Sequence, residues 1–177
     1  MATISRIGYA QVEPNHLSGI VTGQILAQLP VDTETMGTII ENGRFAKYDY
    51  ANLQVNLTGS GEWMLIYNEE KLYDERKQHH KDFAMIADNY TESEIFPRLI
   101  STVIGDVYTT NAFGGCATSD SASVEGIDLE LGDLVSPGED GYLAKADEAA
   151  DDAPTFQVVR VYTMADGQPG VKLMRIK

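Results

Sequence analysis

The stretch Leu131-Gly132-Asp133-Leu134-Val135-Ser136-Pro137-Gly138-Glu139-Asp140-Gly141-Tyr142-Leu143-Ala144-Lys145-Ala146 decides the fold class. Two apolar runs, Leu131–Val135 and Tyr142–Ala146, flank a segment punctuated by Pro-Gly and Asp-Gly, which is hairpin chemistry. The rhythm repeats downstream. Phe156-Gln157-Val158-Val159-Arg160-Val161-Tyr162-Thr163 runs into Asp166-Gly167-Gln168-Pro169-Gly170, and Val171-Lys172-Leu173-Met174-Arg175-Ile176 follows. Short β-branched and aromatic runs split by such turns predict a β-module over residues 127–177, small and barrel-like. No catalytic motif lies in it. Its insert, Asp147-Glu148-Ala149-Ala150-Asp151-Asp152-Ala153-Pro154, reads as a solvated acidic loop. The insert lacks the spacing and glycine of a calcium-binding EF-hand loop.

Upstream, the period is again two. Gly43–Tyr48 alternates polar and apolar residues, and Leu53-Gln54-Val55-Asn56-Leu57-Thr58 puts Leu53, Val55 and Leu57 on one face. After the turn Gly59-Ser60-Gly61, the run Glu62-Trp63-Met64-Leu65-Ile66-Tyr67 is apolar on both faces, as a central strand requires. Trp63, the only tryptophan, is the expected core anchor. Glu69 to Ala87 breaks the rhythm with helix formers, a thin apolar stripe (Leu72, Phe83, Ile86) and a Lys71–Glu75 pair. It predicts a short helix or an irregular excursion over the sheet. Pro97 to Thr110 returns to strand composition, and the small polar run 114–126 predicts a loop.

Residues 1–40 differ from the rest. Gly19, Gly23, Pro30 and Gly37 interrupt the apolar residues Ile20, Val21, Ile25, Leu26 and Leu29. The segment predicts an extended arm packing on another molecule, with an arm folded back on its own domain as the equal alternative. The expected organisation is an arm (1–40), a central β domain (41–115), a linker loop (116–126) and the C-terminal β-module (127–177).

The chain of 177 residues is long enough for one domain or two small ones, and 43% of it is hydrophobic. Thirteen Lys plus Arg face 27 Asp plus Glu, a formal net charge of -14. That balance argues against nucleic-acid partners, which demand clustered cations, and against an anionic membrane surface. A single cysteine, Cys116, excludes an intramolecular disulfide and a CxxC metal site. With no His or Lys near it in sequence, it reads as a small hydrophobe and not a thiolate nucleophile. The N-terminal residues carry no signal-peptide apolar run, and no segment approaches the roughly 20 apolar residues of a membrane span. Asn56-Leu57-Thr58 and Asn89-Tyr90-Thr91 match the glycosylation pattern but, without a secretory signal, count as chance matches.

The best raw material for catalysis is Asp74, Glu75, His79, His80 and Asp82. Adjacent histidines on a helix point about 100° apart and do not chelate as i,i+4 histidines would. The third histidine, His16, lies in the expected arm. No GxxxxGK[ST], strand-linked GxGxxG, or Gly-x-Ser-x-Gly elbow occurs. Glu69-Glu70 and Asp151-Asp152 are sequence neighbours that nothing places across a cleft. Tyr48, Tyr50, Trp63, Tyr67, Tyr108 and Tyr162 could furnish a sugar platform, but hairpin packing explains them equally well. No catalytic, cofactor-binding or metal-ligating residue is therefore assigned.

The layout resembles a family. The arm Gly8-Tyr9-Ala10-Gln11-Val12-Glu13-Pro14-Asn15-His16-Leu17-Ser18 is followed by a β-rich middle. The ending contains Gly132-Asp133-Leu134-Val135 and Asp140-Gly141-Tyr142, then Val158 to Ile176. Together these are similar to the capsid decoration, or cement, proteins of tailed bacteriophages. The resemblance implies a non-enzymatic virion protein on the capsid exterior, made in the host cytoplasm. Its partner would be the major capsid protein lattice, and it would act as a homo-oligomer, a trimer among the options, with no cofactor, nucleic acid or membrane. The alternatives are another virion part such as a tail or fibre-base protein, a carbohydrate-binding β-module, and a hydrolase built on His79 and His80.

Overall fold

A computed structural model describes residues 2–68, 84–86, 95–115, 117–118 and 126–177. The chain is mainly β, and its described residues form two large antiparallel sheets and three two-stranded ribbons. The smaller of the large sheets runs in the order Ile25–Leu26, Leu99–Ile100, Met64–Ile66, Phe45–Asp49, Gln54–Asn56. The larger runs Leu143–Lys145, Leu134–Pro137, Phe156–Thr163, Pro169–Arg175, Val107–Thr110, Val12–His16.

Two apolar clusters explain why the middle strands are apolar on both sides. Phe45, Trp63 and Leu65 join Val135, Phe156, Val158, Val171 and Leu173 beneath the six-stranded sheet. Ala46, Tyr48, Met64 and Ile66 point the other way, into a second cluster with Met36, Ile40, Val55 and Leu99. Strand Met64–Ile66 is thus the central, doubly buried strand that its composition predicts. Phe156 packs at 5.6 Å from Phe45 and edge-on to Tyr108 at 5.5 Å, which ties the two sheets at their centre. Trp63 anchors this cluster as expected, 4% exposed, and its indole N–H donates to the Asp151 carbonyl at 3.1 Å.

Several expectations need correction. The described part of the expected arm, residues 2–40, does not extend away from the body. Ala2–Ile4 pairs with Ile127–Leu129, Arg6–Ile7 lies parallel to Ala117–Thr118, and Val12–His16 forms one edge of the six-stranded sheet. Ile4, Ala10, Val12 and Leu17 are buried. The physical reason is that pairing with Val107–Thr110 turns Val12 inward, and Ile4, Ala10, Val12 and Leu17 together bury apolar surface that a free arm would leave in water. The C-terminal strands form no closed barrel. Leu134–Pro137, Phe156–Thr163 and Pro169–Arg175 belong to an open sheet completed by Val107–Thr110 from the expected central unit. Strands from the arm, the central unit and the C-terminal unit therefore share one sheet. Of the Glu69 to Ala87 excursion, Ala84–Ile86 is a strand paired with Ile39–Glu41, and Glu69 to Phe83 and Ala87 lie outside the described residues. Leu53 does not face inward with Val55. It sits in the turn before strand Gln54–Asn56 with φ 56° and is 62% exposed.

Candidate functional site

The candidates singled out in the sequence do not converge. Asp74, Glu75, His79, His80, Asp82, Cys116 and the Asn89-Tyr90-Thr91 site lie outside the described residues. His16 is exposed at the end of the edge strand, opposite Val107. Asp147, Glu148, Asp151 and Asp152 are exposed, as a solvated loop predicts. Among the aromatics, Tyr48, Trp63 and Tyr108 are buried in the cores, and Tyr50, 62% exposed, packs its ring on Tyr48 at 5.7 Å. No row of exposed rings for a sugar forms among these six.

The structure assembles instead a buried charged joint that sequence reading missed. Arg6 comes from the strand Arg6–Ile7, Glu41 from the end of Ile39–Glu41, and Tyr142 from the turn leading into Leu143–Lys145. An Arg6 guanidinium nitrogen lies 2.8 Å from Glu41 Oε2, with both side chains almost fully buried. The Tyr142 hydroxyl donates to the same carboxylate oxygen at 2.8 Å. The guanidinium carbons of Arg6 and Arg44 lie 5.5 and 5.1 Å from the Tyr142 ring centre. Arg44 donates to the Asp140 carbonyl at 2.8 Å and to the Met36 carbonyl at 2.5 Å. Burial, and then the adjacent Glu41 carboxylate, push the Tyr142 phenol up to about 12. Such a phenol stays protonated at neutral pH and cannot serve as a base there. The cluster is built to clamp three distant segments. Arg6, Glu41 and Tyr142 are so far apart in sequence that no local pattern could announce them.

A second feature lies at the surface. Asp106 is fully buried, and its carboxylate accepts from Ser18 N at 2.9 Å, Ser18 Oγ at 2.6 Å and Val103 N at 2.9 Å. These bonds tie the helical turn Ser18–Thr22 to the loop 101–106. Gly19 makes the approach possible, because a Cβ there would meet Ile100 Cγ2 at 2.5 Å. Four apolar side chains are carried outward on these tied turns: Ile20, Val21 (77% exposed), Val103 and Ile104 (72%). These four side chains are exposed apolar surface on two turns that Asp106 ties together.

Open clefts lie among the described residues. One of about 620 Å³ is lined by Gly114, Ile127, Leu143 and the carboxylates Glu139, Asp140 and Glu148. Among the described residues no three His, Cys, Asp or Glu side chains are grouped as metal ligands, and no helix is long and apolar enough to cross a membrane. No protein-family model, curated protein or solved structure matches the chain.

Proposed function

We propose that the chain is a structural virion protein of a tailed bacteriophage, one that attaches non-covalently to the outside of the capsid lattice as a decoration or cement protein. The observation that carries this reading is the apolar end formed by Ile20, Val21, Val103 and Ile104, held rigid by the buried Asp106. A preorganised apolar face loses little entropy on docking, so modest contacts repeated over many symmetry-related copies add up to firm attachment. The acidic surface, the absence of any disulfide and the β-rich body suit a protein that must stay dispersed until it meets the shell. On this reading the partner is the major capsid protein, the chain works in several copies, and it performs no catalysis.

The test is co-sedimentation of the protein with assembled capsid shells. Wild-type protein should pellet with shells, whereas Val21→Asp/Ile104→Asp should stay in the supernatant with an unchanged thermal midpoint. Wild-type protein that ignores shells but pellets with isolated tails would move the assignment to a tail component. Protein that binds neither would end the virion reading.

A further inference from the structure

The outer face of the six-stranded sheet carries a charge arrangement that no carboxylate of the described residues neutralises by an ion pair. Lys172 lies between buried Val171 and Leu173, so it points away from the core, and its cross-strand partner is Arg160. The row continues through Thr109 to Glu13. Like charges directly opposed across an antiparallel pair are unfavourable. Here they occur in a chain with 13 basic and 27 acidic residues. Glu13 at the end of the row is already engaged by the Tyr162 hydroxyl at 2.5 Å, and Arg160 stacks on the Tyr162 ring. Glu130 lines a cleft with Arg160 at the flank of this face. Neither Arg160 nor Lys172 forms an ion pair with a carboxylate of the described residues. Val159, just before Arg160 in the chain, is exposed, and so is Leu134, the cross-strand partner of Gln157.

We propose that this Arg160–Lys172 face receives the acidic loop Asp147–Asp152 of a second copy of the chain. The loop presents two acidic pairs, Asp147-Glu148 and Asp151-Asp152, separated by Ala149-Ala150, and all four carboxylate residues are exposed. That pattern of charge, small apolar spacer and charge complements a cationic pair beside apolar side chains. The contact cannot form within one molecule. Ala150 N donates to the Pro137 carbonyl at 2.9 Å, and the Asp151 carbonyl accepts from Trp63, which pins the loop on the core side of the sheet. Ala150 and Ala153 pack against the cluster beneath the inner face, opposite to Lys172. The pairing joins two different patches, so it is head-to-tail and builds a ring or an open chain. The inference stands apart from what the apolar end binds.

Sedimentation velocity of the full chain at low and high salt tests it. Wild type should associate at low salt and dissociate as salt screens the contact. Arg160→Glu/Lys172→Glu and Asp151→Lys/Asp152→Lys should each weaken association about tenfold or more. Mixing these two double variants should restore association, because each then offers the charge that the other lacks. Circular dichroism and thermal midpoints confirm that both remain folded. Wild type that stays monomeric at low salt, or variants whose mixture does not reassociate, would overturn the proposal. Shell co-sedimentation of the same variants is read separately. Retained shell binding with lost self-association leaves the attachment reading in place, and the converse leaves this one.

Discussion

Arg6 and Glu41 form a buried ion pair at 2.8 Å that joins the start of the chain to the ribbon Ile39–Glu41. Both are almost entirely removed from solvent, so each is the other's main compensation for lost hydration. Breaking such a pair leaves an uncompensated buried charge, which costs about 3–5 kcal/mol. Glu41→Gln and Arg6→Met should each destabilise by that order in urea denaturation. The double variant Arg6→Met/Glu41→Leu should cost clearly less than the sum of the singles, because it removes both charges together. Strict additivity would mean that the pair is not energetically coupled.

The N-terminal segment should be essential for folding. Removing residues 1–17 takes away the buried side chains of Ile4, Ala10, Val12 and Leu17 and the edge strand Val12–His16. Losing the buried Ile4, Val12 and Leu17 at about 1.5–3 kcal/mol each, together with the Arg6 partner of buried Glu41, is comparable to the roughly 5–15 kcal/mol margin of a typical domain. The truncated protein should lack a cooperative thermal transition and exchange its amides rapidly. A truncated chain that melts cooperatively near the wild-type midpoint would restore the free-arm reading.

What the sequence disclosed and what it hid divide along physical lines. Strands Leu134–Pro137, Phe156–Thr163 and Pro169–Arg175 were legible because turn residues bracket them and β-branched residues fill them. Met64–Ile66 was legible because both faces are apolar. The N-terminal pairings were not, since Ala2–Ile4 and Arg6–Ile7 are too short to show any period. Pro14 within Val12–His16 also reads as a breaker, although an edge strand tolerates it. The Arg6–Glu41–Tyr142 joint and the Asp106–Ser18 tie are long-range, and nothing local marks Asp106 as a buried hub. The apolar residues Ile20 and Val21 were visible as such, but their exposure was not.

Alkaline pH should weaken the fold through Tyr142. Its folded-state value of about 12 stands above the ordinary 10.0, so folding favours the protonated phenol. The sign follows directly: this stabilisation is complete below about pH 10 and is lost as pH climbs through about 12. Burial raises Tyr108 as well, so it acts in the same direction. Tyr142→Phe should cost about 1–2 kcal/mol at neutral pH, because Glu41 loses a donor. Denaturation midpoints followed into the alkaline range should fall less steeply for Tyr142→Phe than for wild type. Parallel curves would show that Tyr142 does not contribute this dependence.

Gly141 should be the most sensitive turn position. Its φ of 78° is a left-handed conformation that β-branched residues rarely adopt. A Cβ there would stand 2.3 Å from the Phe45 carbonyl oxygen and 3.0 Å from a Leu57 methyl. The Gly141 carbonyl also accepts from Phe45 N at 2.7 Å. The turn is therefore welded to the five-stranded sheet as well as to its own hairpin. Backbone strain of roughly 1–3 kcal/mol and the clash with main chain should together make Gly141→Val cost about 3 kcal/mol or more. The turn sequence alone suggests that the damage stays in the last fifty residues. The contact with Phe45 predicts otherwise. Amide exchange should accelerate in Phe45–Asp49 and Met64–Ile66 together with Leu143–Lys145 and Phe156–Thr163, in one cooperative step. Acceleration confined to the residues after 127, with the Trp63 region still protected, would show that the two large sheets unfold independently despite sharing the Phe45–Phe156 contact.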